Sequence, residues 1–267
     1  MPKIKAGKIE LYYESEGTGE PILFIAGLGL THTAWDKQIK ALSTRFRCIT
    51  FDNRDAGQSQ PTPEQYSVRT MADDAAALLQ ALGISSANVV GFSMGGAISQ
   101  ELAINHPTLV KKLCLIATYT SGDPRGTANL TAWATMRQLM TPEQYIRATL
   151  PWVYSYQDYK IHGLVDAAVN DYVNKPDHQP VEQYKRQVYA TTTHFTEDRL
   201  NLIKAPTQLI FGSDDILTPM RFVKTLQAGI KNSQLTLVEG TGHGLLWARA
   251  HEVNETLMTF LSEDGNP

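Results

Sequence analysis

The chain is short of cysteine, has no long hydrophobic run and carries no surplus of either charge, and each absence excludes a class of protein. Two cysteines among 267 residues do not make a disulfide framework. Cys48 and Cys114 sit in short apolar runs, Arg47–Phe51 and Leu113–Ala117, and read as small buried hydrophobes, a usage that suits a reducing compartment. No apolar stretch reaches the roughly 20 residues that a bilayer-spanning helix needs. Met1-Pro2-Lys3-Ile4-Lys5 lacks the apolar core and small-residue cleavage site of a secretory leader. The sequence is therefore read as cytoplasmic, with no membrane partner. With 24 Lys and Arg against 27 Asp and Glu, the net charge is −3, which points to no nucleic-acid partner. No His, Cys or carboxylate group shows metal-ligand spacing, and no G-x-G-x-x-G follows a strand; neither a metal nor an organic cofactor is expected.

What remains is an ordinary globular composition, 42% hydrophobic and 19% charged, in a chain long enough to bury its own core. The pattern along it alternates. Lys8–Glu14 reads as an antiparallel strand exposed on one face, and after a Gly-rich turn Ile22–Ala26 reads as a parallel strand buried on both. A helix (Ala34–Leu42), a strand (Cys48–Phe51), a helix (Met71–Leu82) stopped at Gly83, a strand (Asn88–Gly91), a helix (Met94–Asn105) and a strand (Leu113–Ala117) follow. From Tyr119 to Lys204 the rhythm stops, and the chain is helical and rich in Trp and Tyr. Strands return at Gln208–Phe211 and Gln234–Val238, before a last helix over Leu246–Leu261 and a frayed tail, Glu263–Pro267. Alternating strands and helices predict an α/β fold with a mostly parallel central sheet and helices on both faces. Residues 1–119 and 205–267 form its core, interrupted by a helical insertion, 120–204. There is no internal repeat.

The motif that carries chemistry is Gly91-Phe92-Ser93-Met94-Gly95-Gly96. A serine hydroxyl attacks a carbonyl when it projects from a sharp strand-to-helix turn, and glycines two before and two after the serine relieve the crowding. With glycine near 7% of residues, such a match arises by chance in about one chain of ten this size; the strand before it and the helix after it make Ser93 the candidate nucleophile. The helix start behind it offers free N–H groups to an oxyanion. Ser93 needs a base and a group to orient that base. Of seven histidines, His243 in Gly240-Thr241-Gly242-His243-Gly244 follows the last strand, at the sheet edge where open α/β sheets bind ligands. The acid falls in Gly212-Ser213-Asp214-Asp215-Ile216-Leu217-Thr218-Pro219, where either Asp214 or Asp215 could orient His243.

These three motifs, in this order over nearly the whole length, resemble the α/β-hydrolase superfamily, and within it small bacterial esterases and 3-oxoadipate enol-lactonase-like hydrolases. The resemblance selects Asp215 as the acid and implies a Ser93–Asp215–His243 triad with no cofactor. It also implies an oxyanion hole from the N–H groups of Leu28 and Met94, although Ala26 stands where many relatives have histidine. The segment Asp52-Asn53-Arg54-Asp55-Ala56-Gly57-Gln58-Ser59 resembles a structural loop of the family, and 120–204 its helical cap. Trp133, Met136, Trp152, Tyr156 and Tyr189 are the cap residues expected to meet substrate.

The resulting expectation is a serine hydrolase of the carboxylesterase or lactonase type, cleaving a small acyl substrate through an acyl-enzyme, as a monomer or a homodimer. On the same triad, hydrolysis of a vinylogous diketone, of a C–N bond, or perhydrolysis is the alternative. A lactone-binding receptor is the alternative outside enzymes. A serine nucleophile argues against a dehalogenase, which attacks with aspartate.

Overall fold

The computed structural model describes residues 3–176 and 178–263. Eight strands form one sheet: β1 (Lys3–Ala6), β2 (Ile9–Glu16), β3 (Glu20–Ile25), β4 (Phe46–Phe51), β5 (Ala87–Phe92), β6 (Val110–Ile116), β7 (Thr207–Gly212) and β8 (Ser233–Val238). Their spatial order is β1-β2-β4-β3-β5-β6-β7-β8. β1 and β2 run antiparallel, and β2 is antiparallel to β4; the remaining neighbours are parallel. Strand residues alternate between two apolar layers as the period of two requires. In β3, Leu23 and Ile25 join one layer, while Ile22 and Phe24 join the other. The expected α/β-hydrolase architecture is thus the observed one. β1 was not expected, because four residues are too few to show a strand alternation.

The helices around the sheet are α1 (Asp36–Leu42), α2 (Val68–Ala81), α3 (Met94–Asn105), α8 (Met220–Gly229), α9 (Leu245–Ala248) and α10 (Ala250–Ser262). α2 starts three residues before its expected position because Ser67 and Thr70 form a capping box, worth about 1 kcal/mol. It ends as expected before Gly83, whose φ of +69° is the left-handed end that glycine adopts without cost. The single helix expected over Leu246–Leu261 is two, broken where Arg249 leaves helical geometry. The expectation of a frayed tail falls, beyond Glu263, outside the described residues. No helix among the described residues is long and apolar enough to cross a membrane.

Between β6 and β7 the chain forms α4 (Pro124–Leu139), α5 (Pro142–Val153), α6 (Leu164–Val173) and α7 (Val181–Thr192). Asp123 caps α4 ahead of Pro124, and a Thr141–Gln144 capping box opens α5. α4 and α7 pack around Ala134, Tyr184 and Val188, whereas α5 and α6 pack around Leu150, Tyr154 and Val169. Polar contacts fasten α7 to the loop after β4. Arg186 forks onto Asp55 at 2.7 and 3.2 Å, and Gln187 donates to Arg54 O at 2.9 Å while accepting from Gly29 N at 3.0 Å. In the same loop Arg54 grips Asp74 through two bonds of 2.6 Å, and Asp52 accepts from the backbone of His32 and Gln58. The loop therefore ties elements together, as its resemblance implies.

His194, just after α7, is buried where the helical segment returns to the sheet. Burial is the main cause that pushes its pKa down to about 4 from 6.5, with Arg199 adding to the effect and Glu101 opposing it. The folded protein therefore holds it neutral while the unfolded chain takes up a proton below about pH 6.5. Its contribution to stability is intact above that pH and is lost as the pH falls toward 4. At about 1.4 kcal/mol per pH unit, the loss amounts to at most about 3.5 kcal/mol. Urea unfolding at a series of pH values should show this slope, and His194→Asn should flatten it; an unchanged slope in the variant would assign the loss to other groups.

Candidate active site

Ser93 sits between β5 and α3 with φ 55° and ψ −117°, a backbone region that non-glycine residues occupy only under strain of about 1–3 kcal/mol. Its neighbours enforce it. A Cβ at Gly91 would lie 2.2 Å from Ser99 Oγ and 2.3 Å from Gly95 O, and one at Gly95 would lie 1.9 Å from Ile25 O. The turn therefore packs backbone against backbone at the end of β3, and only glycine fits at either position. Ser93 is pinned from its other side by its N–H on Ile116 O at 2.9 Å and by Thr118 Oγ1 donating to its carbonyl at 2.7 Å.

Ser93 Oγ lies 3.0 Å from His243 Nε2, and His243 Nδ1 lies 2.8 Å from Asp215 Oδ2. All three come from loops at the carboxyl edge of the sheet, after β5, β8 and β7. Asp215 also accepts from the N–H groups of Leu217 and Thr218 on Oδ1, both at 2.8 Å, and from Thr218 Oγ1 on Oδ2 at 2.5 Å. Burial is the largest influence on its pKa and acts to raise it. His243 and the bonds from Thr218 outweigh burial and leave the pKa below its ordinary value. Asp214 points away: it is exposed and accepts from Ser213 Oγ. Sequence reasoning did not single out Thr218, although its place three residues after Asp215 is the spacing of a local side-chain-to-backbone turn.

Leu28 follows β3 and Met94 opens α3, so their N–H groups have no strand or helix acceptor, and no hydrogen bond of either group occurs among the described residues. β3 pairs with both β4 and β5. The Leu28 loop and the Ser93 turn thus meet at the switch in strand order where open α/β sheets bind ligands. The two loops touch, since a Cβ at Gly27 would lie 3.3 Å from that of Ser93.

A cavity of about 160 Å³ opens over Ser93 and His243, with Leu28, Met94, Leu130, Trp133, Phe222 and Trp247 in its largely apolar wall. Of the five helical-segment residues expected to meet substrate, Trp133 lines it and the other four lie outside its wall. The wall supplied by α4 stops at Trp133, so Met136 lies beyond it. Trp152 faces a side recess beneath Arg125, whose guanidinium is 5.7 Å from its ring. Tyr156 is 74% exposed with Lys160 over its ring, and Tyr189 is 43% exposed while Thr191 and Thr192 of the same helix turn inward. Helical spacing alone does not say which side of a helix a second layer covers, so it does not separate Trp133 from the other four. Leu217, Phe222 and Trp247 were missed because they reach the cavity from the core, on the loop after β7, on α8 and on α9, rather than from the insertion.

The sequence profile of the alpha/beta hydrolase fold family matches residues 20–250. The chain belongs to this family, and its coarse activity is that of a hydrolase. It is 30% identical over 98% of its length to a protein of Azorhizobium caulinodans, covering 99% of it, which bears the name of a carbamate hydrolase, RutD. It is 31% identical over 95% of its length to a Mycobacterium tuberculosis protein, covering 98% of it, which bears the name of a non-heme bromoperoxidase, BpoC. The crystal structure of the enol-lactonase from Burkholderia xenovorans LB400 superimposes with a TM-score of 0.87 at 24% identity, covering 98% of this chain and 100% of that one; that likeness concerns the fold. No group of three or more His, Cys, Asp or Glu side chains among the described residues is placed to hold a metal ion.

The asymmetry between the two adjacent aspartates can be measured directly. Asp215→Asn should lower kcat by about 10³- to 10⁴-fold, because an amide cannot hold the imidazole in its working tautomer, whereas Asp214→Asn should stay within about twofold of the parent. Steady-state kinetics on a chromogenic short-chain ester decides it, and equal losses would show that His243 does not depend on Asp215 for its orientation.

Proposed function

We propose that the protein hydrolyses a small carboxylic ester or lactone by two-step acyl transfer. The observation that carries this reading is the continuous chain Ser93 Oγ–His243 Nε2–Asp215, at 3.0 and 2.8 Å, opening on a cavity that Leu28 and Met94, with their uncommitted N–H groups, also line. In this reading His243 takes the Ser93 proton as Oγ bonds to the carbonyl carbon, and Asp215 steadies the imidazolium. The Leu28 and Met94 N–H groups receive the oxyanion, a donor pair of which each member is worth about 2.7–4 kcal/mol of barrier. His243 then gives its proton to the departing oxygen, leaving an acyl-Ser93 ester. Water, deprotonated by His243, attacks that ester and restores the serine.

Residues 120–204 act as a cap in this proposal, closing the cavity over Ser93. The size of the cavity argues for a short acyl group. An engineered protein cavity of about 150 Å³ takes up benzene, so about 160 Å³ suits an acyl group of roughly six non-hydrogen atoms. The apolar wall favours an uncharged substrate.

A second reading is hydrolysis of a carbamate or other C–N bond, favoured by the name of the RutD relative. It uses the same acyl-enzyme with a nitrogen leaving group. Perhydrolysis, suggested by the name of BpoC, replaces the resolving water by peroxide.

Turnover of a p-nitrophenyl ester series from acetate to decanoate, set beside a matched aryl carbamate, separates these readings. The expected result is multiple turnover with kcat/KM highest between acetate and butyrate, and Ser93→Ala should reduce it by at least about 10⁴-fold. Turnover of the carbamate but not of the esters would replace the first reading by the second. Binding with at most one turnover would favour a receptor.

A further inference from the structure

The loop that carries His243 is held from both sides by one carboxyl group that does not touch the cavity. Asp158 lies in the turn between α5 and α6 and is fully buried. Its Oδ2 accepts from Gly242 N at 2.8 Å, from Thr241 Oγ1 at 3.1 Å and from Ser155 N at 2.9 Å. Its Oδ1 faces Arg249 Nη1 at 3.4 Å. Thr241 and Gly242 immediately precede His243, and Arg249 lies a few residues beyond it, just before α10. One side chain from the helical segment thus grips the chain before and after the imidazole.

The surrounding contacts repeat the same connection. Ser155 Oγ donates to Gly240 O at 2.7 Å and accepts from Asp158 N at 3.0 Å, and Gly244 N donates to Val153 O at 2.8 Å. The two backbones are so close that a Cβ at Gly242 would lie 2.7 Å from Val153 O and 2.8 Å from Ser155 N. Residues 153–158 and 240–244 therefore form one braced unit, with Val153 in the cavity wall on one side and His243 on the other. Asp215 and Ser93 constrain only the two ring nitrogens. The backbone from which the ring projects is held on one side by Asp158 and Ser155, and on the other by Ser213 Oγ accepting from Gly240 N at 2.8 Å and Thr241 O accepting from Asp214 N at 3.0 Å.

We propose that Asp158 is a positioning residue for His243, fixing the loop so that Nε2 stays within reach of Ser93, and that through it the helical segment sets the alignment of the base. This rests on the reading of Ser93, His243 and Asp215 given above. A carboxyl is suited to the task because a single oxygen accepts three donors while the other faces a guanidinium. The substitution Asp158→Asn would keep an oxygen for the three donors and lose only the pairing with Arg249. The substitution Asp158→Ala would leave the N–H of Gly242 buried with no acceptor, and the loop would shift toward solvent to satisfy it.

The experiment compares Asp158→Ala, Asp158→Asn and Ser155→Ala with the parent enzyme on a short p-nitrophenyl ester, with thermal melting of each. It also follows the His243 Nδ1–H proton in its hydrogen bond to Asp215 by NMR, identified by its loss in His243→Gln. The expected result is a fall in kcat of about a hundredfold in Asp158→Ala, the scale of a misplacement near 1 Å, with KM within about threefold. Asp158→Asn should recover kcat to within about fivefold of the parent, and Ser155→Ala should fall between the two. The Nδ1–H signal should be lost or broadened in Asp158→Ala and retained in Asp158→Asn. A lower melting temperature with kcat and the Nδ1–H signal unchanged in the folded fraction would overturn the proposal. So would equal kcat losses in Asp158→Asn and Asp158→Ala. If Asp158→Ala does not fold, Ser155→Ala and Asp158→Asn carry the same test, and parental kcat and an unaltered signal in both would overturn it. The NMR signal does not depend on turnover, so an active Ser93→Ala, which would defeat the acyl-enzyme reading, leaves the positioning result readable.

Discussion

The arrangement around the active site depends on the strained turn at Ser93. A residue at φ 55° between a buried strand and a buried helix persists only if its surroundings leave it no alternative. Here they do so by direct backbone contact. The end of β3 presses on Gly95, the turn folds back on Gly91, and the end of β6 takes the serine N–H and supplies Thr118 to its carbonyl. The same packing brings the free N–H of Met94 and the neighbouring loop at Leu28 to one side of the serine. The strain at a single residue, sustained by the stability of a whole sheet, thus prepares both the proposed nucleophile and the proposed oxyanion site before any substrate arrives.

Two other loops are brought to that turn by different physics. Asp215 is anchored locally: its own neighbours Leu217 and Thr218 supply three of its hydrogen bonds, so its position follows from a short stretch of chain at the end of β7. His243 is anchored remotely. Its loop has three glycines, Gly240, Gly242 and Gly244, and so little intrinsic preference for a conformation, and it is shaped by the backbone of residues 153–158 lying against it. The loop of His243 is therefore held by the helical segment as well as by Ser213 and Asp214, whereas Asp215 is held by its own neighbours. The segment is in turn tied to the sheet at its other end by Arg186 and Gln187 on the loop after β4. These are polar and ionic contacts around buried groups, costly to break and demanding in geometry. They fix an orientation where the small apolar clusters of the segment supply only cohesion.

Much of this was legible in the chain. Alternating buried strands and amphipathic helices imply the sheet and its parallel connections, because each helix that carries the chain back to start a parallel strand also covers one face of the sheet. The glycines around Ser93 announce a crowded turn, and the glycine-flanked His243 falls after the last strand, at the ligand-binding edge. The pair of aspartates is the instructive case. From the residues, Asp214 and Asp215 were equivalent; family resemblance preferred Asp215; in the structure Asp215 is buried with Oδ2 2.8 Å from His243 Nδ1, while Asp214 is exposed.

What the sequence determined by itself is therefore the local chemistry and the layer order: which serine sits in the strained turn, which loops reach the same edge, and which strands are buried. What only the tertiary structure decided is how the helical segment sits on that edge. It brings Trp133 to the cavity while leaving Met136, Trp152, Tyr156 and Tyr189 off it, and it brings Asp158 to the backbone beside His243 across 84 residues. The physical reason is that periodicity reports whether one face of a helix is buried, not what buries it. Contacts between distant segments leave no regular spacing in the chain, and a buried carboxyl such as Asp158 looks in sequence like any exposed acid in a turn.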